Sequence, residues 1–232
     1  MCSLSFSQSL KETVSFGRLK GTWINAQYLN LLKLQHSPCF AIASIESSIP
    51  YIDISESGFQ WLYGFHSGDG FGIQHFRSSN ESNTYLFEPL GSDDKSMPHK
   101  FIVNSDRLDT LMWIRPDGKG LSYKRPLIFI RSNKSIEYLV NLIVIAGKYR
   151  DSVGNTYVFT ESGRAIWPKE SFDYEIGLDC EFSSTDCLMR KGLSGYVFSF
   201  DQNVLFLYRC LSSEGERIDF EKEPFLKPFC IK

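Results

Sequence analysis

Apolar and polar residues alternate along most of this 232-residue chain, and the alternation is interrupted in two places. SFDYEIGLDCEF is the cleanest case. Tyr174, Ile176, Leu178, Cys180 and Phe182 fall on one face, and Asp173, Glu175, Asp179 and Glu181 on the other. A period of two marks a strand with one buried face. NTYVFTESGRAIW reads as a hairpin turning at Glu161-Ser162-Gly163, and GYVFSFDQNVLFLYRCL as one turning at Asp201-Gln202-Asn203. Trp113 to Gly118, returning through Leu121-Ser122-Tyr123, gives a third. FAIASIESSIPYIDI reads as strand broken at Pro50, followed by TYLFEPL and KFIVNS. ERIDFEKEPFLKPFCIK holds at most one edge strand, because Pro224 and Pro228 cannot donate to a ladder.

The two interruptions have helical period. Asn25 can cap NAQYLNLLKLQ, in which Tyr28, Leu31, Leu32 and Gln35 recur at helical spacing, and His36-Ser37-Pro38 ends the run. Ser135 can cap IEYLVNLIV, with Ile136, Leu139, Val140 and Ile143 on one face. The expected fold is therefore mostly β: an antiparallel up-and-down barrel of about ten strands with two short helices. One domain over 1–232 is expected. Residues 1–20 form an N-terminal segment, and a helix near 134–148 stands between two β halves.

Gly58 to Phe76, GFQWLYGFHSGDGFGIQHF, concentrates aromatic, glycine and histidine residues. Asp69-Gly70 is a strong two-residue turn signal. In that register His66 and His75 are diagonal neighbours on one face, with Cβ atoms ~7–8 Å apart. Trp61, Tyr63, Phe65 and Phe76 occupy the other face. The glycines lead into strand-like IQHF, not into a helix, so they shape a turn and do not cradle phosphate. Zinc needs a third protein ligand, and neither His36 nor His99 is tied to this hairpin by spacing, so no metal site is assigned. The acidic stripe at Asp173 to Glu181 reads as a solvated face. No catalytic residue and no cofactor is assigned.

Composition narrows the partners. The net charge of -2 provides no basic excess for nucleic acid. The longest apolar run, Leu139 to Ala146, is too short to span a bilayer, so the expectation is a soluble chain with no transmembrane segment. No intact signal peptide is visible at the start. An alternative reading makes Cys2 the acylated cysteine of a cell-envelope lipoprotein whose leader has been removed. The other cysteines, Cys39, Cys180, Cys187, Cys210 and Cys230, have no metal spacing. They read as buried free thiols, although Cys180 and Cys187 are close enough in sequence to bridge a hairpin end.

Gly21-Thr22-Trp23, ahead of an aromatic-rich meander, resembles the G-x-W opening of lipocalins and related calycin barrels. The resemblance implies a barrel whose interior accepts a small apolar ligand, with Trp23 closing its base and taking no catalytic part. The expected function is that of a non-enzymatic binding protein for a small hydrophobic or amphipathic ligand. Trp61, Tyr63, His66, His75 and Trp113 are the candidate ligand-binding residues. Two alternatives stand beside it. One is a surface module for carbohydrate or protein, lipid-anchored through Cys2. The other is an enzyme with His66 or His75 as general base.

Overall fold

A computed structural model describes residues 19–55, 58–61, 73–89, 97–104, 109–117, 119, 122–178, 185–190, 193–214, 217–220, 224, 226, 227, 229 and 230. The strands form two curled antiparallel half-barrel sheets, and three helices accompany them. The first sheet contains β1 (Gly21–Asn25), β2 (Tyr51–Ser55), β3 (Gly58–Trp61), β4 (Ile73–Ser78), β5 (Thr84–Pro89), β6 (His99–Val103), β7 (Thr110–Ile114) and β8 (Leu127–Ser132). Its order is β3-β2-β1-β8-β7-β6-β5-β4. Among the described residues consecutive strands are neighbours throughout, except β3 and β4. The hairpin expected through Asp69-Gly70 lies outside the described residues. β3 pairs with β2 and β4 with β5.

The second sheet contains β9 (Gly147–Arg150), β10 (Thr156–Phe159), β11 (Arg164–Ile166), β12 (Ser171–Ile176), β13 (Asp186–Arg190), β14 (Leu193–Asp201), β15 (Val204–Glu214), β16 (Arg217–Phe220) and β17 (Phe229–Cys230). β14 pairs with β15 as well as with β13, while β17 bridges β15 and β9. The expectation of a single barrel of about ten strands thus becomes two sheets with seventeen strands among the described residues. The C-terminal region supplies two strands instead of one, and β17 is internal. It fits between two neighbours because it is only two residues long and lies beyond Pro228.

The helices are α1 (Ala26–Gln35), α2 (Pro38–Ala43) and α3 (Ile136–Val144). Asn25 caps α1 as its spacing predicts: its side-chain oxygen accepts from the N–H groups of Gln27 and Tyr28. Its amide also donates to the Ile49 carbonyl at 3.1 Å, so one buried side chain satisfies both the helix end and the following loop. His36 ends α1 in the left-handed region, at φ 52°. The strand expected from Phe40 is instead α2. Ser37 caps it and Pro38 sits in its first turn, a position that tolerates the missing N–H. The local cap outweighs the β-branched residues that follow.

Two apolar clusters hold the molecule. One fills the concave side of the first sheet with Trp23, Ile52, Ile54, Tyr85, Phe87, Phe101, Trp113 and Phe129. The other joins α1, α2 and α3 to the second sheet through Tyr28, Leu32, Ile42, Val140, Tyr149, Phe159, Tyr174 and Leu207. β1 serves both, since successive side chains of a strand point to opposite faces. Trp23 enters the first cluster and Ile24 the second.

Each sheet begins in the same way. Trp23 donates through Nε1 to the Leu19 carbonyl at 2.6 Å, and Tyr149 donates through its hydroxyl to the Ile145 carbonyl at 2.8 Å. In both cases a buried aromatic two residues after a glycine ties back to the carbonyl four residues upstream. The first strand then pairs with the second (β2 or β10) and with a later one (β8 or β17).

Candidate functional site: an imidazole on an indole and two grooves beside a helix

Register decides which of the expected site residues meet. Trp61 is aligned with Ile52, which is aligned with Trp23 and then Arg131. Trp113 lies in a different row, with Leu127, Phe101 and Tyr85. Arg131 and Leu127 are four residues apart along β8, about 13 Å at strand rise. His75 pairs with Glu88 in β4 and β5. Tyr63 and His66 lie outside the described residues, as does the turn that was to bring His66 beside His75. Trp113 is only 1% exposed, ringed by Phe87, Phe101 and Phe129 at centroid distances of 6.0, 5.7 and 6.3 Å. It is a core residue that presents one polar edge.

That edge meets a residue for which the sequence reading found no partner. Trp113 Nε1 donates to His99 Nδ1 at 3.1 Å, and Phe87 stacks on the imidazole at 5.0 Å. Indole N–H can only donate, so His99 Nδ1 must accept and Nε2 carries the proton. Burial, then the Arg115 charge, lowers the His99 pKa from 6.5 to about 4. A proton on Nδ1 would also displace the indole bond. His99 is thus a neutral, oriented donor at pH 7. Arg115, at the end of β7, sits over the Trp113 ring at 5.8 Å. The hairpin expected after Trp113 is present, with Pro116 bridged to Tyr123. Its Tyr123 hydroxyl donates to the Pro98 carbonyl at 3.2 Å, and Lys100 lies over the Tyr123 ring at 5.0 Å. Parity could have revealed His99: it alternates with Phe101 and Val103 in HKFIV, as Trp113 does with Leu111 in TLMWI.

Two grooves flank α1 on the outer face of the first sheet. The larger, about 770 Å³, has Ile24, Leu29, Ile130 and Leu139 as its apolar floor. Lys20, Asp109, Arg131, Ser132 and Asn133 form its polar rim. Arg131 is held in place, stacked over Trp23 at 5.2 Å and donating to the Lys20 carbonyl. The smaller groove, about 500 Å³, combines Leu31, Pro126 and Ile128 with Gln27, Asn30, Glu46 and Arg125. The grooves lie on opposite flanks because Leu29 and Leu31 project from opposite sides of the Tyr28–Leu32 stripe that faces the core.

Two acidic groups of the second sheet make structural contacts. Asp173 is exposed and ion-paired to Arg164 at 2.8 Å, as a solvated stripe would be. Asp186 is buried and accepts the Cys39 backbone N–H at 2.9 Å, pinning α2 to the second sheet; burial raises its pKa. Cys39 is disulfide-bonded, which corrects the reading of the cysteines as free thiols, whereas Cys187 and Cys210 keep their thiols. Among the described residues no three His, Cys, Asp or Glu side chains come together to hold a metal ion. No helix among them is long and apolar enough to cross a membrane. No protein-family model, curated protein or solved structure matches the chain.

Proposed function

We propose that the chain is a non-enzymatic binding protein of lipocalin-like character that holds a small amphipathic ligand, with the larger groove beside α1 as the binding place. One observation carries this reading: an apolar floor and a polar rim share a recess of about 770 Å³. That volume lies within the usual range for small-molecule sites, about 300–1,000 Å³. The recess opens between the first sheet, α1 and α3, where elements of both halves of the chain meet, a common setting for a ligand site. Native mass spectrometry of protein from its own cells tests the reading. A bound mass should be recovered from the unaltered chain and lost from an Ile130→Asp variant. A clean apo mass from the unaltered chain, with no saturable uptake of a fluorescent fatty acid in solution, overturns it.

A second reading, a surface for a protein partner, draws on a different observation. Ile102, Met112 and Ile128 are aligned across β6, β7 and β8, and Ile128 and Ile130 are 48% and 42% exposed.

A further inference from the structure

We propose that the smaller groove beside α1 is a site for a short zwitterion, a dipeptide with both ends free and apolar side chains. Glu46 receives its ammonium end and Arg125 its carboxylate end. The inference goes beyond the binding function proposed above and uses a different recess.

The groove holds about 500 Å³, within the usual range for small-molecule sites. Three observations point to its occupant. First, its two charges have opposite sign and neither is neutralised by a neighbour. Glu46 and Arg125 line the same recess, yet among the described residues neither makes an ion pair or a hydrogen bond. Second, the charges reach the groove from opposite sides. Glu46 lies in the turn that leads into β2, and Arg125 in the segment that leads into β8. β2 and β8 flank β1, so the strands they enter are ~10 Å apart at the usual spacing. Two residues of extended chain, at ~3.5 Å each, cover that span with a charge-assisted hydrogen bond at each end. Third, the surface between the charges suits a peptide. Leu31, Pro126 and the exposed Ile128 supply apolar walls. The Asn30 amide, which bonds no other described residue, offers a donor and an acceptor to a peptide group. The start of α1 is not the recognition element, because its Gln27 and Tyr28 N–H groups already bond the Asn25 side chain.

Isothermal titration calorimetry of the full chain tests the site with three ligands: leucylleucine, its N-acetyl derivative and its C-terminal amide. Acetylation removes the ammonium, and amidation removes the carboxylate. The unaltered chain should bind leucylleucine saturably. Each capped ligand should bind about fivefold more weakly, the factor that corresponds to one exposed ion pair. Glu46→Gln should bind leucylleucine no better than the acetylated ligand, while still preferring it to the amide. Arg125→Gln should bind leucylleucine no better than the amide, while still preferring it to the acetylated ligand. That reciprocity assigns each end of the ligand to its residue. Both side chains are exposed, so both variants should keep the melting temperature of the unaltered chain. No saturable binding of leucylleucine at millimolar concentration overturns the proposal. Capped ligands that bind as well as the free dipeptide overturn it too, as does a preference that survives the substitution meant to remove it.

Discussion

His99 is a residue whose protonation opposes the fold. Its folded midpoint, about 4, lies below its ordinary value of 6.5, so the unfolded chain binds the proton more readily between those two values. The stabilisation is complete above pH 6.5 and is lost as pH falls toward 4, on the order of 3 kcal/mol in all. Urea denaturation between about pH 7 and pH 4.5 should therefore show steeper acid loss for the unaltered chain than for His99→Phe. Trp113→Phe should raise the His99 midpoint, read by NMR, because Nδ1 is then free to be protonated. Gly163 marks a different constraint. Its φ is +82°, and a Cβ there would meet the Tyr174 carbonyl oxygen at 2.6 Å. Gly163→Ala should cost more than the ~1 kcal/mol of an ordinary strained backbone position, read as a fall in the denaturation midpoint. The composition of the site was partly legible at this scale. Trp113 stood out by its chemistry and parity, but its hydrogen-bond partner did not. His66 and His75 share one short segment of sequence, whereas the contact with Trp113 comes from His99, brought in by the pairing of β6 with β7.

Caps and turns at the level of the element were the most legible part of the chain. Asn25 and Ser135 announced α1 and α3. The turns at Glu161-Gly163 and Asp201-Asn203 announced hairpins whose registers, Val158 with Ile166 and Asp201 with Val204, agree with the spacing. Local chemistry decides such features, so a local reading finds them. α2 was missed because its deciding signals, Ser37 and Pro38, were read only as the end of the preceding helix. Asn25→Ala removes a cap and a buried amide bond together and should cost about 1–3 kcal/mol, with loss of hydrogen-exchange protection concentrated in α1. Asp186 sets a second test. Its raised pKa means that its buried charge costs most above the folded midpoint, so that stability falls as pH rises through that midpoint. Asp186→Asn keeps an acceptor for the Cys39 N–H without the charge, and should gain on the unaltered chain as pH rises from about 3 to 7 in chemical denaturation. Asp186→Leu leaves that N–H unmatched and should destabilise by about 1–3 kcal/mol.

At the scale of the whole molecule, pairing between distant strands was the part that alternation could not supply. Period two says that a segment is a strand, not which strand lies beside it. The meander assumption holds for most neighbours among the described residues and fails at β17, which enters the second sheet between β15 and β9. The helices make the two halves interdependent. Leu32 belongs to α1, yet it packs in the cluster that backs the second sheet. Leu32→Ala should cost about 2–5 kcal/mol. Hydrogen exchange should then quicken in β9 and β10 as well as in α1, while the amides of β6 and β7 keep most of their protection.

The position of β17 has a consequence for how the molecule is made. β1 meets its later partner, β8, once Ser132 has left the ribosome, so the first sheet's β1–β8 seam can form while synthesis of the second sheet continues. β9 must wait for Phe229 and Cys230 before its second neighbour exists. The nascent second half therefore exposes a waiting edge throughout its own translation, and this is the interval in which a chaperone or a misdirected strand would find it. Stalled chains ending before and after Phe229, compared for protease resistance in β9 and β10, would measure how much that final pairing secures.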